Sequence, residues 1–242
     1  MDPSEGIPRC SFVIFLPMHA VLALLVALPL VAQAPATTPF QEQKARALLR
    51  DQLPCLGCHE LDGEGGRTAP SLSDVGGRRS AAYIRAIIED PQLVVPGAVM
   101  PKTLMPSAIR DLLIRFLARN AAEGAPPMPQ SASLYGRSLP PSGLYNRWCA
   151  QCHGHNGGGD GPNAKYLPVR PAVHWDAARM GARSDDALYD VIAAGGGPMG
   201  KSARMPAFGA TLTPPEMRSL VAYIRGLCSC AGPAWSRDGR RR

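Results

Sequence analysis

The chain has 242 residues and a net charge of +7, and only 6% of its residues are aromatic. That length admits one large domain or two small ones. Because the basic residues are not interleaved with aromatics, a nucleic-acid surface is excluded, leaving an acidic protein partner or an anionic membrane surface to match the charge. Glycine and proline, 25 of each, predict long loops between short helices, and strand-like alternation of β-branched residues is hard to find.

Residues 12–32, "FVIFLPMHAVLALLVALPLVA", are apolar apart from His19 and end in Ala32-Gln33-Ala34 and Ala34-Pro35-Ala36. Both tripeptides have the small-x-small form that signal peptidase accepts, so residues 1–36 read as an export signal. A retained membrane anchor is the alternative, since about 20 apolar residues span a bilayer. Either way the rest of the chain is periplasmic or otherwise exported, with membrane association through the N-terminal segment as the second option.

Beyond a Pro/Thr stretch, Phe40 to Leu53 carries Ala45, Leu48 and Leu49 at helical spacing. Ser80 is placed to cap "AAYIRAIIED", with Tyr83, Ile84, Ile87 and Ile88 on one face and Pro91 as the stop. Ser107 opens a second amphipathic run with Ile109, Leu112, Leu113 and Phe116 inward. Residues 124–133, "GAPPMPQSAS", read as a linker. The order then repeats. Leu144, Tyr145 and Trp148 precede the second motif, Ser184 caps "DDALYDVIAA", and Thr213-Pro214-Pro215-Glu216 forms a capping box with proline at the first helical position. The expected units are 40–123 and 134–230, followed by a basic tail over 231–242.

Each unit contains Cys-x-x-Cys-His, as Cys55, Cys58 and His59 in the first and Cys149, Cys152 and His153 in the second. This is the attachment signature of c-type haem. Thiols three apart on a helical turn face one way, so both can add to the vinyl groups of one porphyrin, and the following histidine can reach its iron. Composition alone yields one such motif about 0.004 times per chain, so the repeat is not accidental. A thioredoxin-like pair would need a βαβ setting that the sequence lacks, while a shared zinc site would have to join cysteines 94 residues apart. Cys10, Cys228 and Cys230 stay outside the motifs, and the last two read as ordinary unreactive cysteines, with a redox or cross-linking role as the alternative.

With these motifs the sequence resembles the class I c-type cytochromes, specifically their two-domain, two-haem members, over nearly all of residues 40–228. The resemblance implies an all-α fold: two tandem cytochrome c-like domains, each a small helical bundle around a covalent haem. In that family a methionine from a Met-Pro loop before the last helix is the usual sixth iron ligand. Met205-Pro206 matches in the second unit. Met100-Pro101 is preferred in the first because it lies seven residues before Ser107, whereas Met105-Pro106 presses against the helix start. Met128 in the linker and Met199, which no proline follows, are not preferred. His174 offers a bis-histidine alternative, while His155 is too close to His153 to reach the opposite face. The family also places a proline carbonyl on the ring N–H of each proximal histidine, for which Pro70 and Pro162 match; loop punctuation is the alternative for both.

Filled axial positions imply a two-haem carrier of single electrons between redox proteins, with an acidic docking surface on the partner, no small-molecule substrate and no catalytic residues. Two alternatives stay open. One is a dihaem enzyme of the peroxidase or thiosulfate dehydrogenase type, with one reactive iron. The other is the cytochrome subunit of a larger respiratory complex.

Overall fold

Thr38 starts the first described helix by a reciprocal cap. Its side chain accepts from the Gln41 N–H, and the Gln41 side chain accepts from the Thr38 N–H. The computed structural model describes residues 37–119 and 139–237. The expected export segment, Cys10, the linker at 124–133 and the end of the basic tail lie outside them.

Helix α1 (Pro39–Ala47) runs on through a π turn, Leu48–Gln52, into a 3-10 turn, Pro54–Gly57, that holds the first motif. A two-residue hairpin follows, β1 (Glu60–Leu61) against β2 (Glu64–Gly65), turning at Asp62-Gly63 with positive φ at both positions. Then come α2 (Val75–Arg78), α3 (Ala81–Glu89), α4 (Pro91–Val94) and α5 (Ser107–Leu117). Ser80 caps α3 as its sequence predicts. Pro91 does more than stop that helix, because Asp90 caps a new turn that begins on the proline.

In the second half, α6 (Pro141–Trp148) leads through Cys149 into α7 (Ala150–His153), which carries the second motif. A 3-10 turn (Ala164–Tyr166), α8 (Ala177–Gly181), α9 (Asp185–Ala194), α10 (Pro214–Cys228) and α11 (Ala234–Arg237) complete it. Ser184 caps α9, and Thr213 with Glu216 forms the expected capping box on α10. At the end of α10, Ser229 takes a left-handed conformation with φ 47°. That bend brings Cys228 and Cys230 together as a disulfide, which replaces the reading of two ordinary thiols.

The fold is all-α, as expected, and the small hairpin leaves that description intact. Two apolar cores form. In the first, α1 packs on α5 around Leu49, Leu113 and Phe116; in the second, α6 packs on α10 around Tyr145, Leu220 and Ile224. The described residues nevertheless belong to one compact unit, and polar contacts between the halves explain why. Asn163 is fully buried and reaches Gly57, Arg67 and Thr68. The guanidinium of Arg204, 8% exposed, donates to the Leu49 carbonyl, and Thr211 Oγ1 accepts from the Lys102 N–H. Among the described residues, no helix is long and apolar enough to cross a membrane.

Candidate functional site

The two motifs sit on different local structures that achieve the same presentation. In the first, the 3-10 turn is closed by the Cys58 and His59 N–H groups donating to the Cys55 carbonyl. In the second, the Cys152 and His153 N–H groups donate to the Cys149 carbonyl across the α6–α7 junction. Each turn thus holds two thiols and an imidazole on one short loop of backbone.

All four cysteines are free thiols, each half-buried. Burial pushes Cys55 up to about 11 and Cys149 and Cys152 up to about 12, and it raises Cys58 as well. They are therefore neutral thiols at physiological pH. A thioredoxin-type pair would instead have one thiol lowered into the physiological range. Among the described residues, no three His, Cys, Asp or Glu side chains gather around a common point, an arrangement that gives zinc no cage.

The histidines are fixed through one ring nitrogen. His59 Nδ1 lies 2.7 Å from the Pro70 carbonyl, the residue that the sequence singles out. His153 Nδ1 lies 2.9 Å from the Ala172 carbonyl, so the expectation for Pro162 is corrected. Pro162 is held in a tight turn over the second motif, where the flanking Gly161 and Asn163 N–H groups donate to Cys152 and Gln151. That turn commits Pro162 to the loop, and the chain returns to His153 only ten residues later, just beyond Pro171. Burial lowers the pKa of both imidazoles. Each ring is thus neutral, with Nδ1–H given to a carbonyl and the Nε2 lone pair left for a metal.

The methionine loops are also pinned. The Gly196 N–H donates to the Met205 carbonyl, and Phe208 and Gly209 donate to Ile192 and Ala193 at the end of α9. In the first half the same task falls to a side chain. Gln92, only 4% exposed, donates through Nε2 to the carbonyls of Ala98 and Met100. Sequence reasoning passed over Gln92 because nothing local marks a glutamine as a loop anchor. Met105 packs into the first core. It directly precedes the N-terminal cap of α5, the place that buried Leu212 occupies before α10. Leu212 is thus an apolar staple for α10, sharing a core with Met217, whereas the fourth residue of α5 is Arg110, so Met105 staples its helix to the first core instead.

His174 does not face His153 across a metal position. Its ring stacks on His153 with centroids 4.1 Å apart and planes within 15°, and its Nδ1 meets the Tyr145 hydroxyl at 2.8 Å. The Tyr145 hydroxyl thus engages one nitrogen of His174, and the ring packs on His153. His155 points elsewhere, with Nδ1 3.0 Å from Asn146 Oδ1.

A groove of about 740 Å³ runs along the joint between the halves, lined by Arg67 and Thr68 on one side and residues 159–167 with Arg170 on the other. Arg67, Lys165 and Arg170 outnumber its one carboxylate, Asp160, and both Arg67 and Lys165 lie about 5 Å from the ring centre of Tyr166.

Comparison with known families agrees with this geometry. The cytochrome c family model matches residues 43–113. The model described as cytochrome C oxidase, cbb3-type, subunit III matches residues 139–224. Neither the curated proteins nor the solved structures give a match. Cytochrome c domains bind haem covalently and use it for electron transfer. With one match on each half and a thiol-imidazole turn at the start of each, the chain belongs to the c-type cytochromes, as two such domains in tandem.

Proposed function

We propose that the chain is an exported dihaem electron carrier, with domains over 40–123 and 134–230 joined by the segment 124–133. Cys55 and Cys58 hold one haem c and Cys149 and Cys152 the other, His59 and His153 are the proximal ligands, and Met100 and Met205 complete the two irons. Haem so ligated supplies a one-electron couple with no vacant coordination position. The observation that carries this reading is the repeated donor set: in each half, two neutral thiols and an imidazole whose free nitrogen is fixed by a carbonyl behind it.

The protein's own residues do the rest. The Pro70 and Ala172 carbonyls fix the tautomer of each imidazole and strengthen it as a ligand. Gln92 and the end of α9 hold the methionine loops in place. Met100 is favoured over Met105 because its carbonyl is anchored like that of Met205, while Met105 is occupied as a core staple. The basic groove suits an acidic redox partner. Export from the cell follows from the N-terminal segment and from where c-type cytochromes usually reside, and the protein takes no small-molecule substrate. The cbb3-type match to the second half favours one further setting, as a subunit of a respiratory complex, with the same chemistry.

The test is the optical spectrum of the purified holoprotein. Full methionine ligation gives a sulfur-to-iron charge-transfer band at the near-infrared edge with two haems' intensity, and the reduced protein excludes carbon monoxide. A high-spin component from one haem, or ready carbon monoxide binding in the native state, overturns the carrier in favour of a dihaem enzyme.

A further inference from the structure

Asn163 is a polar residue that joins both motifs. Its backbone belongs to the second turn, where its N–H donates 2.9 Å to the carbonyl of Gln151, between Cys149 and Cys152. Its side chain belongs to the first. Nδ2 donates to the Gly57 carbonyl, between Cys55 and Cys58, at 3.0 Å and to Thr68 Oγ1 at 2.6 Å, and Oδ1 accepts from the Arg67 N–H at 2.8 Å. A continuous polar chain therefore runs from the Gly57 carbonyl of the first turn through Asn163 to the Gln151 carbonyl of the second.

The surroundings leave this chain little freedom. Asn163 has no exposed surface. A Cβ on Gly57 would collide with the Arg204 carbonyl, and one on Gly66 would lie 2.9 Å from the Asn163 amide. The first turn therefore meets second-half backbone at Gly57 and the Asn163 amide at Gly66, an amide whose side-chain hydrogen-bonding groups are all engaged.

We infer that Asn163 is a positioning residue that locks the two haem-attachment turns at one fixed separation, through its side-chain bond to the Gly57 carbonyl and its backbone bond to the Gln151 carbonyl. The inference rests on the reading that both turns carry haem, and its role is to couple the two sites. An interdomain contact with a merely mechanical role would hold the halves together without affecting how one site senses the other.

The test uses the full-length holoprotein as wild type, Asn163→Ala and Thr68→Val. Thr68→Val removes one of the two acceptors that hold the Asn163 amide and so loosens the lock by a milder change, which decides the matter if Asn163→Ala fails to fold. Haem content and low-spin spectra are measured first. A wild-type protein with fewer than two haems sinks the dihaem reading itself, independently of the bridge. With two haems in every variant, spectroelectrochemical titration is expected to show that the reduction of one site shifts the other in wild type. That interaction shrinks in both variants, and site-to-site electron exchange followed after a pulse of reductant slows. If folded variants with unchanged spectra keep the wild-type interaction and exchange rate, the bridge is only mechanical and the inference fails.

Discussion

Substituting each of the two first-half methionines by leucine separates ligand from staple. Met105 is half-buried against the first core and directly precedes the α5 cap. Leucine conserves its volume, so Met105→Leu costs less than about 1.5 kcal/mol and leaves the charge-transfer band at full intensity. Met100→Leu is different. The Met100 carbonyl is held by Gln92 whatever the side chain is, so the loop keeps its place and only the thioether is lost. The band then falls to half, one ferrous centre begins to bind carbon monoxide, and its reduction potential drops as the thioether leaves the iron. Near-infrared absorption and carbon monoxide difference spectra on equal haem concentrations read both outcomes. If Met105→Leu halves the band and Met100→Leu preserves it, the equivalence of Met105 with Leu212 is wrong and the ligand assignment must be exchanged.

Thr213→Ala removes the acceptor for the Glu216 N–H and one side of the capping box. The loss is about 1 kcal/mol, or a fall of about 2–4 °C in the thermal midpoint of the whole unit, while Thr213→Ser retains most of the stability. Phe116→Ala empties a fully buried ring position flanked by Arg46 and Arg119 at 5.1 and 4.3 Å. It costs about 3–5 kcal/mol, so denaturant titration should show the midpoint falling for the whole unit, with probes of both halves moving together. His174→Phe leaves the Tyr145 hydroxyl without its partner and costs about 1–3 kcal/mol. Both haems stay low-spin in that variant, and a high-spin second haem would restore the bis-histidine assignment.

What the sequence reveals is whatever lies within one or two helical turns. The motifs, the Ser80, Ser184 and Thr213 caps and the inward faces of α5 and α10 are patterns over three to eight residues, and local hydrogen bonding enforces them. The hairpin had a local signal too, Asp62-Gly63, but its strands are too short to show alternation. Failures begin where the chain must return from a distance. Pro70 follows His59 by 11 residues and is legible, whereas the carbonyl on His153 comes from Ala172, 19 residues on, and Pro162 at the nearer spacing is a decoy. For Cys228 and Cys230 the sequence puts cross-linking second to ordinary thiols, because thiols two apart diverge on a helix. They converge here only because α10 ends between them, at left-handed Ser229.

The least legible feature is that the halves are not independent beads. A repeat suggests two self-sufficient units, yet the first attachment turn is walled by the second half on two sides, by Asn163 after the second motif and by Arg204 beside Met205. Arg204 is the costly member, because desolvation lowers its pKa and the neighbouring charges of Glu64 and Asp51 support its charged form. A buried guanidinium is retained at such a place only if its hydrogen bonds and nearby carboxylates compensate for lost water. Its location gives that cost a use. Arg204 adjoins Met205, donates to the carbonyl of Leu49 and lies within electrostatic reach of Cys55, so the methionine loop of the second domain is seated on the cysteine turn of the first. The two candidate sites thus share a wall of backbone, and a change at either turn reaches the other through that wall.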